Sequence, residues 1–152
     1  MQPFIRVSQL KQSFGAQEAL KGVSFDVDKG ELLALIGGSG AGKSVILKHL
    51  DGLIDPLDGY VDIDGRRISN VPEKVKREIR SKIGFMFQQV ALFDSLSVGE
   101  NVAFPLQEAG LKNEEELDSR ISAALESVGL SGQEEKMPAN LSGGMIKRVA
   151  VA

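Results

Sequence analysis

The sequence predicts an α/β fold, because a strand, a glycine-rich loop and a helix follow one another along the chain. Residues Glu31–Ile36 have the sequence ELLALI, a short apolar run typical of a strand that is buried on both faces. Glycines follow at positions 37, 38, 40 and 42, and Lys43–Leu53 then places apolar residues at helical spacing. This order of elements opens a βαβ unit.

Four other segments predict strands. Ile5–Leu10 alternates weakly between apolar and polar residues. Val23–Val27 alternates with the period of two expected of a half-buried strand, and Tyr60–Ile63 is a short strand closed by a turn. Ile83–Phe87 is apolar, and we expect a strand there that ends at Gln88.

Helices are predicted mainly in the second half of the chain. Pro72–Arg80 is charged, with a proline suited to a first turn. Val98–Glu108 is helical in pattern but contains Pro105, so we expect a kink or two pieces. Asn113–Val128 is the clearest helix, with apolar residues at helical spacing and an acidic N-terminal turn. Residues 140–144 open a last helix, which we expect the chain end to cut short.

Composition excludes several classes of function. The 152 residues suit one soluble domain, with 42% hydrophobic and 26% charged residues. The net charge of −3 provides no basic field, so we expect no nucleic-acid partner. Cysteine is absent and there is one histidine, which excludes disulfides and cysteine or histidine-rich zinc sites and suits a reducing cytoplasm. The longest apolar run, Leu32–Ile36, is far short of the ~20 residues of a membrane helix.

The glycine cluster is a phosphate-binding loop by its pattern. Residues 37–44 fit G-x-x-x-x-G-K-[ST] at every fixed position. The eight residues are Gly37, Gly38, Ser39, Gly40, Ala41, Gly42, Lys43 and Ser44. Glycines let backbone N–H groups surround a triphosphate, Lys43 provides a cation for the β- and γ-phosphates, and Ser44 provides a hydroxyl for Mg²⁺. The alternative is a glycine-rich turn without a ligand, which the flanking strand and helix patterns disfavour.

Two further features are weighed against ordinary structural roles. A helix is predicted to begin at Ser142, Gly143 and Gly144, whose small side chains leave its first N–H groups accessible. This is typical of a second phosphate-binding site at a helix N-terminus. The alternative is that Ser142 is an ordinary N-cap. Two phosphate sites in one chain suggest two copies paired head to tail, each closing over the other's nucleotide. His49, in contrast, is expected to be a surface or packing residue near Leu50 rather than a ligand.

In combination, the phosphate loop and Leu141-Ser142-Gly143-Gly144 resemble the ATP-binding-cassette (ABC) ATPases. In this family an aromatic residue stacks on adenine, and Phe14 occupies its place. A glutamine after a strand senses the γ-phosphate and Mg²⁺ and touches the transmembrane partner, and Gln88 occupies that place. Because stacking tolerates base identity, we expect Phe14 to prefer adenine over guanine only weakly.

The resemblance implies a P-loop NTPase core with an antiparallel β subdomain and a helical signature subdomain, truncated before the Walker B strand. It implies one ABC ATP-binding domain over 1–152, with the core in 1–87 and the Q-loop and signature region in 88–152. The Walker B aspartate, the general-base glutamate, the D-loop and the switch histidine would follow Ala152. We therefore expect an N-terminal fragment that is inactive alone and exposes an edge of the Glu31–Ile36 strand.

The resemblance also implies function. ATP and Mg²⁺ are the expected ligands, and the expected partners are a second copy of the chain and transmembrane permease subunits. The ATPase would lie at the cytoplasmic face of the inner membrane and power transport by ATP hydrolysis. Met145, where the family usually has glutamine, together with residues 90–98 and 100–106, resembles bacterial Mla-type phospholipid transporters linked to organic-solvent tolerance.

Three alternatives stay open at the sequence level. Met145 could be a simple replacement in an amino-acid or metal importer. An ABC-type ATPase of DNA repair or chromosome organisation is disfavoured by the negative net charge and by the short separation of 97 residues between Ser44 and Leu141. The chain could also be a catalytically inert nucleotide-binding fragment.

Overall fold

The computed structural model describes residues 2–86 and 92–152. The chain divides into two compact units, the first running to Gly84 and the second starting at Phe85. Each unit has its own hydrophobic core. The first core contains Val7, Leu10, Leu20, Ile46, Val61, Ile63, Ile68 and Ile79. The second contains Val98, Val102, Ala103, Ile121, Leu125, Leu130 and Val149.

The first unit is built on an antiparallel sheet. Its strands are β1 (Ile5–Phe14), β2 (Gln17–Val27), β3 (Asp58–Ile63) and β4 (Arg66–Arg67). Within the described residues they form one sheet of order β2-β1-β3-β4, in which every neighbouring pair is antiparallel. The strands predicted at the N-terminus and after residue 59 are confirmed, and β1 and β2 extend to a tight hairpin.

A bulge in β1 lets the sheet bend over the core. The pairing register of β1 shifts between Val7 and Leu10, and Gln9 between them has a positive φ of 46°. Gly59 of β3 crosses this bulge so closely that a Cβ atom there would lie 2.3 Å from the carbonyl oxygens of Ser8 and Gln9. Only glycine fits that crossing, so the sheet depends on the Asp58-Gly59 turn sequence.

Two helices pack against the sheet unit. Helix α1 spans Lys43–Leu50 and α2 spans Glu73–Arg80, the latter as predicted. The predicted helix over Lys43–Leu53 is too long at its end, because Gly52 has a φ of 63° and terminates it. The apolar face expected of this helix is confirmed only in part. Its members by spacing are Val45, Ile46, Leu47, Leu50 and Leu53, of which Ile46 is buried, whereas Leu47 and Leu53 are exposed.

The predicted strand Glu31–Ile36 is not a strand in the structure. The segment has no regular secondary structure, and Leu32 and Ile36 are 95% and 93% exposed. A strand exists only where its backbone pairs with a neighbour, and no described residue pairs with this segment. The apolar pattern therefore predicted a strand where none forms. Within this segment, only Leu35 packs against the first core.

The predicted strand Ile83–Phe87 is not a strand in its described part. Residues 83–86 have no regular secondary structure. Ile83 nevertheless packs against the first core, which explains its apolar character. Phe87 lies outside the described residues.

The second unit is helical. It contains α3 (Val98–Glu108), α4 (Glu114–Ser127), a short 3₁₀ turn (Pro138–Asn140) and α5 (Gly143–Val149). Capping sets the helix starts. The Ser97 hydroxyl accepts from the Glu100 amide while the Glu100 carboxylate accepts from the Ser97 amide, and Asn113 caps α4.

One expectation for these helices needs correction. Helix α3 runs from Val98 to Glu108 without interruption although it contains Pro105, so it is not in two pieces. Helix α5 begins at Gly143, and the hydrogen bonds from the Ala150 amide to Ile146 and from the Ala152 amide to Arg148 keep helical spacing to the last residue. The prediction of α4 is confirmed, with Ile121 and Leu125 buried. Within residues 2–86 and 92–152, we find no helix with the length and apolar character needed to cross a membrane.

Candidate functional site

The structure brings the predicted aromatic residue and the phosphate loop to one pocket. This open pocket of about 250 Å³ is lined by Phe14 at the end of β1 and by the end of the loop and start of α1. The lining from the loop side is Gly40, Ala41, Gly42, Lys43, Ser44 and Val45. Gly37, Gly38 and Ser39 belong to the same loop but are outside this lining. Two segments far apart in sequence thus enclose one cavity large enough for part of a nucleotide.

The β1–β2 hairpin positions Phe14. Phe14 and Gln17 lie opposite one another across the turn, where Gly15 has a φ of 59°. Residues opposite one another in an antiparallel pair point to the same face of the sheet. The Phe14 ring is 52% exposed, so a flat apolar surface is available for stacking.

Lys43 holds the phosphate loop in shape. Its Nζ donates to the carbonyl oxygens of Gly37 at 2.8 Å and Gly38 at 2.7 Å. A lysine ammonium has three N–H donors, so the third is available for a phosphate oxygen. The side chain therefore closes the loop on itself and still presents a cation at the pocket.

The glycines of the loop have different tasks. Added Cβ atoms at Gly38 and Gly40 would meet nothing within 4 Å, which leaves their backbone open to a ligand. Gly42 differs: it is buried, has a φ of 85°, and a Cβ there would lie 2.7 Å from the Ala19 carbonyl oxygen and 2.8 Å from Leu20 Cδ2. Gly42 is thus required for packing the loop against β2.

The start of α1 suits an anion. Gly42 is the N-cap, no side chain caps the helix, and no acidic residue lies in the first turn. The first N–H groups of a helix lack intrahelical acceptors and carry the positive end of the helix dipole. The sequence places these donors directly beside Lys43, so the loop and helix together favour a phosphate group.

Of the two residues predicted to contact Mg²⁺, the structure describes one. Ser44 lines the pocket and is exposed. No group of three or more histidine, cysteine, aspartate or glutamate residues in the described parts of the chain could hold a metal. Mg²⁺ usually takes few protein ligands and fills its shell with phosphate oxygens and water, which fits a single hydroxyl here. Gln88, the other predicted Mg²⁺ and γ-phosphate contact, lies outside the described residues.

The signature residues lie on an open surface. The Ser142 hydroxyl accepts from the Met145 amide at 3.3 Å, so it is an N-cap of α5. Gly143 and Gly144 are exposed, and Cβ atoms there would meet nothing within 4 Å. Arg148 of the same helix donates to the carbonyl oxygens of Val128 and Gly129 at the end of α4. Ser142 therefore acts as an ordinary serine N-cap, and Gly143 and Gly144 are accessible at the surface.

Sequence reasoning missed three lining residues of the pocket. Gln17 and Ala19 of β2 and Val45 of α1 face the cavity. Val45 was assigned only to an apolar helix face, and the two β2 residues were outside any motif. The Gly15-Ala16 pair, as a hairpin turn, was the signal that could have placed Gln17 opposite Phe14.

His49 of α1 is buried, as a packing residue, with 1% of its surface exposed. Its Nδ1 lies 2.7 Å from the Val45 carbonyl oxygen, which can only accept, so Nδ1 carries the proton. Nε2 is buried without a partner among the described residues. Burial lowers the pKa of His49, against the raising effects of the Val45 carbonyl and the nearby Asp55 carboxylate.

Stability should therefore fall as the pH decreases below neutrality. The unfolded chain takes up a proton on His49 near pH 6.5, before the folded chain does, because the folded pKa is lower. The free energy of unfolding should decrease from about pH 7 downwards, by at most ~1.4 kcal/mol per pH unit, until the folded pKa is reached. Burial raises the pKa of nearby Asp51 above its ordinary value. For Asp55 the effect of burial is outweighed by the hydrogen bonds from Lys76 and Asn70 together with the nearby positive charge, so its pKa is held below its ordinary value.

Urea unfolding between pH 5.5 and 7.5 measures this dependence. His49→Asn keeps a donor for the Val45 carbonyl but cannot titrate, so its stability should be nearly independent of pH over this range. Equal pH slopes for the parent and this variant would show that another group is responsible.

A second pocket, of about 270 Å³, lies in the second unit. Its wall includes Phe93 and Phe104, whose ring centroids are 4.8 Å apart. Asn101 fixes this wall, because its side chain accepts from the Phe93 amide and donates to the carbonyl oxygens of Phe93, Leu96 and Ser97. Met86, another lining residue, is 63% exposed, so the pocket presents apolar surface to solvent.

Comparisons with known proteins place the chain in a family. The model of the ABC transporter family matches residues 20–152. The chain is 43% identical over 148 residues to the probable ribonucleotide transport ATP-binding protein mkl of Mycobacterium leprae, covering 97% of this chain and 43% of that protein. It is 45% identical over 149 residues to TRIGALACTOSYLDIACYLGLYCEROL 3 of Arabidopsis thaliana, again covering 97% and 43%. It is 39% identical over 150 residues to the methionine import ATP-binding protein MetN of Brucella abortus, covering 99% and 40%.

Solved structures agree. The dimeric ATP-binding cassette MJ0796 in a post-hydrolysis state with ADP and Pi superimposes with a TM-score of 0.86 at 32% identity, over 97% of this chain and 67% of that chain. The cbiO1 protein of Clostridium perfringens, part of the transporter complex cbiONQ, gives a TM-score of 0.84 at 30% identity, over 99% and 60%. The chain spans about two fifths of the length of the curated relatives it matches. It has the N-terminal part of the ABC ATPase fold, and it belongs to the ABC transporter family of ATP-binding proteins.

Proposed function

We propose that the chain binds ATP with Mg²⁺ in the pocket between Phe14 and the phosphate loop. The observation that carries this proposal is that the aromatic ring and the loop, from separate parts of the sequence, line one cavity. The base would stack on Phe14, and the phosphates would lie along residues 37–44 at the start of α1. The solved relative with ADP and Pi supports adenine nucleotide as the ligand.

Within this site each group has a role set by its chemistry. Lys43 directs its remaining N–H donor at the β- and γ-phosphates, and Ser44 offers one oxygen to Mg²⁺. The backbone N–H groups of the loop neutralise phosphate charge. Gln88 is proposed as the residue that senses the γ-phosphate and Mg²⁺. Mg²⁺, when bound, screens the charge between the phosphates.

The stacking role of Phe14 gives a testable prediction. Phe14→Ala should lower the affinities for ATP and GTP by the same factor, about tenfold. Stacking contributes ~1–3 kcal/mol per base, and every purine has a π-face. Inorganic tripolyphosphate, which lacks a base, should bind unchanged. Isothermal titration with the three ligands measures this.

Phe4→Ala is the matched control for this prediction. Phe4 is another partly exposed phenylalanine of the first unit and is absent from the pocket lining. Its removal should leave all three affinities at the parent's values. A loss of tripolyphosphate affinity in Phe14→Ala would mean that the ring supports the loop instead of the base.

We further propose that two copies pair head to tail, with Ser142, Gly143 and Gly144 of one copy contacting the nucleotide on the other copy's loop. This rests on the family resemblance and is supported by the dimeric state of MJ0796 and by the open surface at the two glycines. Ser142→Arg tests it, because arginine would obstruct the contact and leave the phosphate loop of its own copy untouched. In analytical ultracentrifugation we expect ATP to dimerise the parent but not this variant.

The variant should still bind ATP with the parent's affinity as a monomer. ATP-dependent dimerisation of Ser142→Arg equal to that of the parent would contradict a contact through the signature residues. A loss of ATP affinity in the monomer would instead mean that Ser142 acts within its own copy.

The proposal extends to ATP hydrolysis that powers a transporter. Attack of water on the γ-phosphate requires a bound metal, for which Ser44 and Gln88 are proposed as contacts, and a positioned base, which in the family is the glutamate after the Walker B strand. The chain would then be the nucleotide-binding part of a peripheral subunit at the cytoplasmic face of the inner membrane, beside transmembrane permease subunits. The names of the mkl and MetN relatives, which describe transport and import ATP-binding proteins, support this assignment. The exposed apolar pocket of the second unit is a surface where a permease could bind.

For the transported substrate we propose phospholipid. Met145 in the signature supports it through the resemblance to phospholipid transporters, and the Arabidopsis relative, whose name refers to a galactolipid, supports a lipid substrate in general. Relatives named for ribonucleotide transport and methionine import favour the alternative of a small polar substrate. A transporter assembled from the complete ATPase and its permease should, in liposomes, move fluorescent phospholipid when ATP is supplied. ATP-driven uptake of methionine or a ribonucleotide, without lipid movement, would decide for the alternative.

A further inference from the structure

The side chain of Gln17 has no assigned task, although it faces the candidate nucleotide site. It is the first residue of β2, it is exposed, and it lines the same pocket as Phe14 and the phosphate loop. No hydrogen bond or ion pair of its amide group occurs within the described residues. A free amide at the wall of a ligand pocket can both donate and accept a hydrogen bond.

The register of the hairpin places Gln17 at the level of the base. Ala19 lies at the level of the loop, since a Cβ on Gly42 would lie 2.7 Å from the Ala19 carbonyl oxygen. Gln17 is two residues back along β2, beyond a register shift that leaves Ala19 unpaired with β1, and both residues line the pocket. Phe14 is directly opposite Gln17. A nucleotide with its phosphates on the loop and its base on Phe14 therefore has its base, rather than its phosphates, beside Gln17.

We infer that Gln17 selects adenine by a pair of hydrogen bonds to the edge formed by N6 and N7. This inference rests on the proposed binding of ATP in this pocket. The glutamine amide nitrogen donates to N7, and the amide oxygen accepts from the N6 amino group. Guanine presents two acceptors, O6 and N7, at the corresponding edge, so the amide oxygen of glutamine would face another oxygen. Gln17 thus favours ATP over GTP, whereas Phe14 stacks equally on both.

The test compares affinities of the chain and its variants by isothermal titration with ATP, GTP, 7-deaza-ATP and tripolyphosphate. Gln17→Ala should lower the affinity for ATP about fivefold, which is toward the low end for a bidentate pair because the site is open to water. The affinities for GTP and tripolyphosphate should be unchanged. The same substitution should lower the affinity for 7-deaza-ATP by a smaller factor, because this analogue lacks the N7 acceptor. The substitution of Gln17 and the loss of N7 each remove the same contact. Gln17→Arg should invert the preference, since arginine matches O6 and N7 of guanine.

Gln107→Ala is the matched control, because Gln107 is an exposed glutamine of α3 outside the pocket lining. It should leave every affinity unchanged. An equal loss of ATP and GTP in Gln17→Ala, or no loss of ATP, would overturn the role of Gln17 while nucleotide binding itself stands. If the parent binds neither ATP nor GTP, the proposed function fails and the inference fails with it. Full sensitivity of 7-deaza-ATP to Gln17→Ala would also overturn it, because no contact to N7 would then exist.

Discussion

Lys43→Ala should lower the affinity for ATP at least tenfold. The lysine Nζ is already 2.7–2.8 Å from two loop carbonyl oxygens, so the ammonium is held at the pocket before any ligand arrives. Hydrogen bonds to charged groups contribute ~1.5–3 kcal/mol each, which corresponds to roughly tenfold to a hundredfold in affinity. The variant loses both this contact and the two bonds that close the loop.

Isothermal titration with MgATP measures the loss, and Lys48→Ala is its control. Lys48 is an exposed lysine in the same helix, outside the pocket lining, so its removal changes the net charge equally. We expect Lys48→Ala to bind ATP within about twofold of the parent, because an exposed charge outside the site acts only through screened solvent. Equal affinities for the parent and Lys43→Ala would mean that the loop is not the binding site.

Gly42→Ala should destabilise the first unit and weaken ATP binding together. A side chain at a φ of 85° is in the left-handed region, which costs ~1–2 kcal/mol for alanine. The new methyl group would also lie 2.7 Å from the Ala19 carbonyl oxygen and 2.8 Å from Leu20 Cδ2. The loop must then move away from β2, and Lys43 and Ser44 move with it.

Gly30→Ala separates the two causes. Gly30 has almost the same backbone conformation, with a φ of 84°, but an added Cβ would meet nothing within 4 Å. This control should therefore lose ~1–2 kcal/mol of unfolding free energy and keep the parent's ATP affinity. Urea unfolding and ATP titration of both variants give the comparison. If Gly42→Ala were no less stable than Gly30→Ala, the close packing of the loop on β2 would not hold.

Local sequence signals predicted the elements whose causes are local. Helix α4 follows from its cap at Asn113 and its apolar spacing, and α2 from Pro72 and its charged face. The apolar run Glu31–Ile36 misled because strand formation requires a partner strand, which a pattern of side chains does not contain. The end of α1 was misplaced because Gly52, read as part of the helix, adopts the left-handed conformation that stops it.

The candidate site was predictable where a motif specified it. The loop at residues 37–44 was predicted from its own pattern and Phe14 from the family resemblance, and the structure brings Phe14 and residues 40–44 to one pocket. Gln17 and Ala19 were missed because their place in the pocket depends on the β1–β2 register and not on any motif. For His49 the sequence left a surface role and a packing role open, and the structure shows the packing role, with 1% of its surface exposed.

The most direct test asks whether one ATP molecule spans Phe14 and the phosphate loop. In the isotope-labelled chain with MgATP, we expect intermolecular nuclear Overhauser effects between the adenine protons and the Phe14 ring. In the same sample the backbone amides of residues 40–44 should change chemical shift, and both effects should weaken in Lys43→Ala. Adenine contacts to Phe4 or to aromatic residues of the second unit, with unchanged loop amides, would contradict the proposed site.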